Sequence, residues 1–126
     1  VRNGHPLTER RITPTRYAAG QHILVSRRGR DRGPIDDALD REGKTRHIVT
    51  TVGGYGAALA LAAGSDLIAS VPERHTSTMR SALTSFPLPF KVPGMTISMF
   101  WHPRLDADPA HRWLRACVRE VCGDKP

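Results

Sequence analysis

The chain has 126 residues, a length that predicts one domain with a sizeable core, and its formal net charge of +7 favours anionic partners. Its two cysteines are too few for a disulfide scaffold. Neither a secretory signal nor an apolar run of about 18 residues is visible, so we expect a cytoplasmic protein without a membrane partner.

Strand and helix patterns alternate along the first half of the chain. The runs His22 to Ser26, His47 to Val52 and Leu67 to Val71 are short and rich in apolar β-formers, which predicts strands. Between them, Gly33 to Gly43 has a first-turn proline, early acids and a terminal glycine, as helices do. Tyr55 to Ala63 is nearly all apolar and predicts a helix buried on most sides. Together these elements predict right-handed βαβ units around a mostly parallel sheet.

The second half is less regular. We expect a short helix from Arg74 to Leu83 and a two-sided strand from Met95 to Trp101. Asp108 and Pro109 supply the cap and first-turn proline of a last helix. Its apolar residues form one stripe: Trp113, Leu114, Cys117, Val118 and Val121. Because this stripe has no obvious partner and the first twenty residues are polar, we expect a lobe of a longer chain.

Catalytic, metal and cofactor patterns are weak. No two of the six histidines stand four residues apart on one helix, and the cysteines lack metal-ligand spacing. The nucleophile motif GxSxG and the phosphate motifs GxGxxG and GxxxxGK[ST] are absent. Cys117 is expected to be an inert core thiol. We therefore predict neither an enzyme nor a metal or cofactor site.

One dense basic run follows the first predicted strand. It contains Arg27, Arg28, Arg30 and Arg32, with Asp31 inside it. The simple interpretation is a solvated loop. The alternative is a pocket for a carboxylate, because guanidinium groups pair with carboxylates in a bidentate way. Charge alone does not decide between them.

Three loops should meet at the carboxyl edge of the predicted sheet, where ligands bind in doubly wound folds. They are residues 26–33, 53–56 and 72–75. Gly53 and Gly54 precede a helix whose free N–H groups suit an anion, although a simple tight turn is an equally good interpretation. Tyr55 could stack on a flat ligand or cap the core. These loops predict a pocket for a small anion that could be aromatic.

Three segments carry a family resemblance: HILVSRRGRDRGPIDDALDREG, VGGYGAALALAAGSDLIASVPER and FWHPRLDADPAHRWLR. In this order they resemble the C-terminal effector-binding region of LysR-type transcriptional regulators, most closely the branch that responds to aromatic acids. The resemblance covers the chain from His5 to about Val121. It implies an α/β, periplasmic-binding-protein-like, Rossmann-type lobe, with a mostly parallel sheet flanked by helices.

The resemblance also implies how the chain fits a larger protein. Residues 1–126 would be a fragment of the effector-binding domain, with the second lobe at about 14–102 and a returning segment and C-terminal helix at 103–122. The effector would lie in the cleft between two lobes, and DNA would be bound only by an N-terminal winged helix-turn-helix outside this chain. A homo-oligomer is expected. The lobe of a solute-binding transport protein is the alternative function.

The resemblance assigns effector contacts by position. They are Arg32, Gly54, Tyr55 and Phe100, with Ser26, Arg27 and Gly53 as further candidates. The aromatic-responsive branch often has histidine where this chain has Arg32 and Gly54. Because one fixed cation is added and volume is freed, we expect a larger effector, an aromatic or other organic acid.

Overall fold

The computed structural model describes residues 1–123. The chain forms two compact units, which divide after Met95. The helices and strands of the first unit are α1 (Pro14–Ala18), β1 (Gln21–Val25), α2 (Pro34–Arg41), β2 (His47–Val52), α3 (Tyr55–Ala63) and β3 (Leu67–Ala69). The second unit contains α4 (Pro109–Cys122). Within residues 1–123, no helix is long and apolar enough to cross a membrane.

The three strands of the first unit form one parallel sheet in the order β2-β1-β3. The predicted alternation of strand and helix and the parallel sheet are therefore confirmed. Because β1 has a strand on each side, its residues His22, Ile23 and Leu24 are buried. The sheet places the carboxyl ends of all three strands, and the loops that follow them, at one edge.

The two faces of the sheet carry separate cores. On one face, Tyr17 and Ile68 pack with Leu39 of α2. On the other face, Ile23 packs with Ala58 and Ala62 of α3. This division follows the alternation of side chains along a strand.

Helix α3 was expected to be buried on most sides, and that expectation is wrong. Only Ala58, Leu59 and Ala62 are buried, whereas Leu61 is exposed. Most of the exposed residues of this helix are alanine or glycine, which lose little free energy by facing water.

The first twenty residues are more ordered than their polar pattern suggested. A 3-10 turn over Pro6–Glu9 and helix α1 bury Leu7 and Tyr17 in the core. His5 is also buried: its Nδ1 accepts the Leu7 N–H at 3.0 Å, and its Nε2 lies 2.9 Å from the carbonyl of Asp66. A few well-placed apolar residues are enough to fix such a segment, because the polar groups between them find backbone partners.

The expected strand from Met95 to Trp101 is wrong. The segment has no secondary structure, and the sheet contains only β1, β2 and β3 among the described residues. Alternation of residue types predicts a strand only where a neighbouring strand can pair with it, and none does so here.

The expected helix from Arg74 to Leu83 is replaced by a 3-10 turn over Ser77–Arg80. The Thr76 hydroxyl donates to the Pro72 carbonyl at 2.7 Å, and Arg80 donates to the Thr76 hydroxyl at 3.0 Å. Side chains that bond to the local backbone in this way compete with a regular helical ladder.

The second unit is built on α4, which begins as predicted. Asp108 accepts the His111 N–H at 2.8 Å, and Pro109 occupies the first turn. The apolar stripe of this helix is largely exposed, and Cys117 is half-buried rather than enclosed in a core.

Candidate functional site

The carboxyl edge of the sheet brings two of the candidate loops together. The Ser26 N–H donates to the carbonyl of Val52 at 2.9 Å, which extends the pairing of β1 with β2 to the last residue of β2. Ser26 opens the arginine loop, which we define as residues 26–33, and Gly53 directly follows Val52. The arginine loop and the start of α3 therefore begin side by side.

The arginine loop is held at both ends. Near its start, the Arg30 N–H donates to the Ser26 hydroxyl at 2.9 Å, and Gly29 adopts a left-handed φ of 63° that suits glycine. At its end, the Gly33 N–H donates to the Asp36 carboxylate at 2.8 Å. These bonds restrict the loop, for which the sequence left open a solvated run of charges or a pocket for a carboxylate.

Arginine side chains of this loop surround a shallow concavity of about 310 Å³. Its lining residues are Ser26, Arg27, Arg28 and Arg30. The candidates Ser26 and Arg27 are thus placed in one concavity. Arg28 and Arg30, which the resemblance did not assign to the effector, join them there.

Arg32 points elsewhere. Its guanidinium forms an ion pair with Asp40 of α2 and lies 3.8 Å from Asp37. Both partners are exposed, so the pair is of the kind that contributes little to stability. The sequence could not show this pairing, because it depends on the direction in which the chain enters α2 at Gly33, the N-cap residue.

A buried ion pair anchors the end of the arginine loop. Arg46, which precedes β2, donates to the two oxygens of Asp36 at 2.7 and 2.9 Å, and the side chains are only 2% and 8% exposed. Burial acts to raise the pKa of Asp36, but hydrogen bonds from Arg46 and Gly33 outweigh it and lower the pKa. Burial opposes the charge of Arg46 as well, and its bonds to Asp36 raise its pKa. Asp36 therefore stays ionised and keeps hold of the loop.

Tyr17 and His22 lie on the same face of the sheet as this pair. The Tyr17 hydroxyl is 2.5 Å from that of Ser70, and burial raises its pKa. His22 Nε2 is 2.8 Å from the carbonyl of Tyr17, and burial lowers the pKa of this histidine to about 4. His22 Nδ1 has no hydrogen-bond partner among residues 1–123. His22 is accordingly neutral in the core at physiological pH.

Three further candidates lie at the start of α3. Gly54 is its N-cap with an extended backbone, and no heavy atom would meet a Cβ at Gly53 or Gly54 within 4 Å. Tyr55 is half-buried, and its ring meets that of His75 edge-on with centroids 5.8 Å apart. The structure thus joins the second and third candidate loops through an aromatic pair. The sequence placed His75 in a candidate loop but did not single it out.

Phe100 belongs to the second unit. It is 89% exposed, and it lines a groove of about 370 Å³ together with residues of α4. In this unit Arg115 is buried: it donates to the carbonyls of Leu105 and Asp106 at 2.9 and 2.7 Å and lies 4.6 Å from the centroid of the Trp101 ring. Phe100 is therefore available for contact with a ligand or another surface.

The family model for the LysR substrate binding domain matches residues 1–123. The chain belongs to this family. Over residues 1–123 of this LysR domain, no group of three His, Cys, Asp or Glu side chains could hold a metal ion.

Relatives and solved structures agree with the family. The chain is 30% identical over 122 residues to the HTH-type transcriptional activator NagR of Ralstonia sp, covering 95% of this chain and 40% of NagR. A Vibrio parahaemolyticus protein described as a transcriptional regulator has a TM-score of 0.75 and 30% identity, with 97% of this chain and 57% of that structure covered. The regulatory domain of the transcriptional activator MexT from Pseudomonas aeruginosa has a TM-score of 0.64 and 31% identity, with coverage of 86% and 55%.

These similarities settle the fold and the family of the domain. The predicted α/β fold of the periplasmic-binding-protein-like type is confirmed by the solved LysR regulatory domains. The relatives are described as transcriptional regulators, and a solute-binding transport protein is not favoured. The chain spans less than half the length of NagR.

Proposed function

We propose that this LysR domain senses a small organic acid, aromatic in its core, and that it does so at the carboxyl edge of its sheet. One observation carries the proposal: the hydrogen bond from Ser26 to Val52 places the arginine loop beside the glycines that open α3. Guanidinium groups and the free N–H groups at a helix start both favour an anion. Their convergence therefore favours a carboxylate ligand.

The aromatic part of the ligand would lie on Tyr55. This ring is half-buried and meets the ring of the exposed His75 edge-on, so one face of it can receive a flat ligand. Gly53 and Gly54 leave open space there, because a Cβ at either position would meet no heavy atom within 4 Å apart from those of its chain neighbours. A flat ring can approach the backbone closely at this point.

Arg32 keeps a narrower role in this proposal. Because its guanidinium is paired with Asp40, an effector would reach only the donors that Asp40 leaves open. Arg32→Ala should then weaken the binding of an acidic effector less than Arg27→Ala does. Unchanged affinity in Arg32→Ala would remove Arg32 from the site.

We propose the architecture of the whole protein by analogy with the family pattern. Residues of about 14–102 would form the second of two lobes, residues 103–122 would return towards the first, and Phe100 would contribute to the inter-lobe cleft. The effector would bind the closed arrangement of the lobes more tightly than the open one and would therefore favour closure. Closure would change how a cytoplasmic, homo-oligomeric regulator is arranged on DNA. DNA contact would belong to a winged helix-turn-helix outside this chain.

A binding screen tests the proposal. Aromatic carboxylates are screened by thermal shift against the full-length protein, and positives are measured by calorimetry and checked for chemical conversion. We expect one-to-one binding, weakened at least about tenfold by Tyr55→Ala, which corresponds to about 1.4 kcal/mol. Arg41→Ala is the control, since Arg41 is an exposed residue at the opposite end of α2. Conversion of the ligand, or equal loss in both variants, would overturn the proposal.

A further inference from the structure

The arginines of the first unit differ in whether their side chains are partnered. Several are engaged: Arg2 with Asp66, Arg16 with three backbone carbonyls, Arg32 with Asp40, Arg46 with Asp36, and Arg80 with Thr76 and Ser85. Arg10, Arg11 and Arg41 are exposed, and their guanidinium groups have no ion pair or hydrogen bond within residues 1–123, so the loop arginines are distinguished by their grouping around one concavity. In the described part of the chain, the guanidinium groups of Arg27, Arg28 and Arg30 have neither an ion pair nor a hydrogen bond. Three unpartnered cations therefore lie within four consecutive positions.

These three side chains share one concavity. They line the space of about 310 Å³ with Ser26, and the loop that carries them is fixed by the Ser26 hydroxyl at one end and by Asp36 at the other. The bonds hold the backbone of the loop, so the three exposed side chains start from fixed positions close to one another. Their mutual repulsion is relieved when anionic groups enter the space between them.

We propose that the arginine loop binds the acid groups of an effector that carries at least two negative charges. The inference rests on the proposed function and specifies its ligand as a polycarboxylate. One carboxylate pairs with one guanidinium in a bidentate way, so a single acid group would leave two of the three cations unpartnered. Arg32 does not add to this number, because Asp40 already neutralises it.

The grouping of the three arginines favours a small molecule over a macromolecule. They lie within four consecutive positions around one shallow, open concavity, an arrangement that several acid groups on one small molecule can meet together. The loop also adjoins Gly53 and Tyr55, where a ring that carries the acid groups could lie. Nucleic acid would instead need cations spread along a surface that follows the phosphate backbone.

Calorimetric titration tests the inference with three probes on the full-length protein at constant ionic strength. The probes are benzoate, benzene-1,3-dicarboxylate and benzene-1,3,5-tricarboxylate, which share a ring and differ in charge. We expect the tricarboxylate to bind at least about tenfold more tightly than benzoate. In Arg28→Gln/Arg30→Gln this preference should fall to about twofold or less.

A matched control separates local from global charge. Arg10→Gln/Arg11→Gln removes the same two charges from exposed positions outside the arginine loop, and it should keep the preference for the tricarboxylate. Far-ultraviolet circular dichroism checks that both double variants are folded. Equal loss of preference in the two variants would show a non-specific effect of net charge and overturn the inference.

The remaining outcomes distinguish the two proposals. Benzoate binding without any preference for more acid groups would overturn the polycarboxylate site and leave the proposed function standing. Failure of every carboxylate to bind would overturn both. A loss of affinity for a short DNA duplex in Arg28→Gln/Arg30→Gln, with binding of the tricarboxylate unchanged, would assign the arginines to nucleic acid and overturn the inference.

Discussion

Replacement of Arg46 by methionine should destabilise the first unit strongly. Arg46 and Asp36 form a bidentate pair at 2.7 and 2.9 Å with side chains only 2% and 8% exposed. Without Arg46, the Asp36 carboxylate would remain buried with the Gly33 N–H as its remaining donor. Breaking a buried pair by removing one partner costs about 3–5 kcal/mol. Because the Gly33 bond persists and methionine fills most of the volume, we expect a loss of about 3 kcal/mol.

The loss should depend on pH with a definite sign. In the wild type, the lowered pKa of Asp36 contributes stability above about pH 4, which disappears as the pH falls through the folded value. In Arg46→Met, the buried carboxylate has lost its partner, so its pKa should rise and it should take up a proton at higher pH. The difference in unfolding free energy between the two proteins should therefore narrow as the pH is lowered from 7.

Urea unfolding followed by far-ultraviolet circular dichroism measures this difference. The control is Arg2→Met, which breaks an exposed pair in which two Arg2 nitrogens contact one oxygen of Asp66; the side chains are 36% and 63% exposed. An exposed pair contributes about 0–1 kcal/mol, so the control should change stability far less. Arg46→Lys should lie between the two, since it keeps the charge and loses the bidentate geometry. Equal losses in Arg46→Met and Arg2→Met, or a difference that stays constant with pH, would refute the reasoning.

Three further predictions concern other parts of the chain. His22 should remain neutral in the folded protein down to about pH 4. Its neutral form therefore contributes fully to the stability of the fold above about pH 6.5, and this contribution declines as the pH falls from about 6.5 to about 4. An NMR titration of the ring chemical shifts measures the pKa. Gly29→Ala should cost about 1 kcal/mol in urea unfolding, because Gly29 has a φ of 63°, whereas Gly53→Ala, with open space and an ordinary φ, should be nearly neutral. If the exposed stripe of α4 mediates pairing with a second copy of the chain, Trp113→Glu/Val121→Glu should reduce the mass found by light scattering, and an unchanged mass would exclude that surface.

Much of the fold could be predicted because the first unit has strong local signals. The apolar runs that became β1, β2 and β3 lie between helices with clear start and stop residues, and such patterns determine elements almost independently of the rest. The segment from Met95 to Trp101 shows the limit of this reasoning. Alternation predicted a strand, but a strand also needs a partner, and pairing is a property of the fold rather than of the segment.

The candidate site could be predicted only to the level of its loops. Parallel strands end at one edge of their sheet, which predicted that residues 26–33 and 53–56 would meet. The hydrogen bond from Ser26 to Val52 places them together. The sequence did not predict which arginine side chains would lack an ion-pair partner. Arg32 was the candidate assigned by resemblance, yet Asp40 pairs with it, whereas Arg28 and Arg30 line the concavity. Ion pairing between neighbouring elements depends on side-chain directions that a linear pattern does not contain.

The arginine loop is anchored by residues of the core, so the loop is ordered when the domain folds and not when a ligand binds. Three adjacent cations would spread apart on a free loop, and a ligand would then have to order them at a cost in affinity. Here Asp36, buried and ionised, holds the Gly33 N–H at the end of the loop and is itself held by Arg46. The entropy of ordering is therefore lost when the core forms rather than when a ligand binds. The geometry of the proposed site thus depends on a carboxylate that lies in the core and that the ligand would never contact.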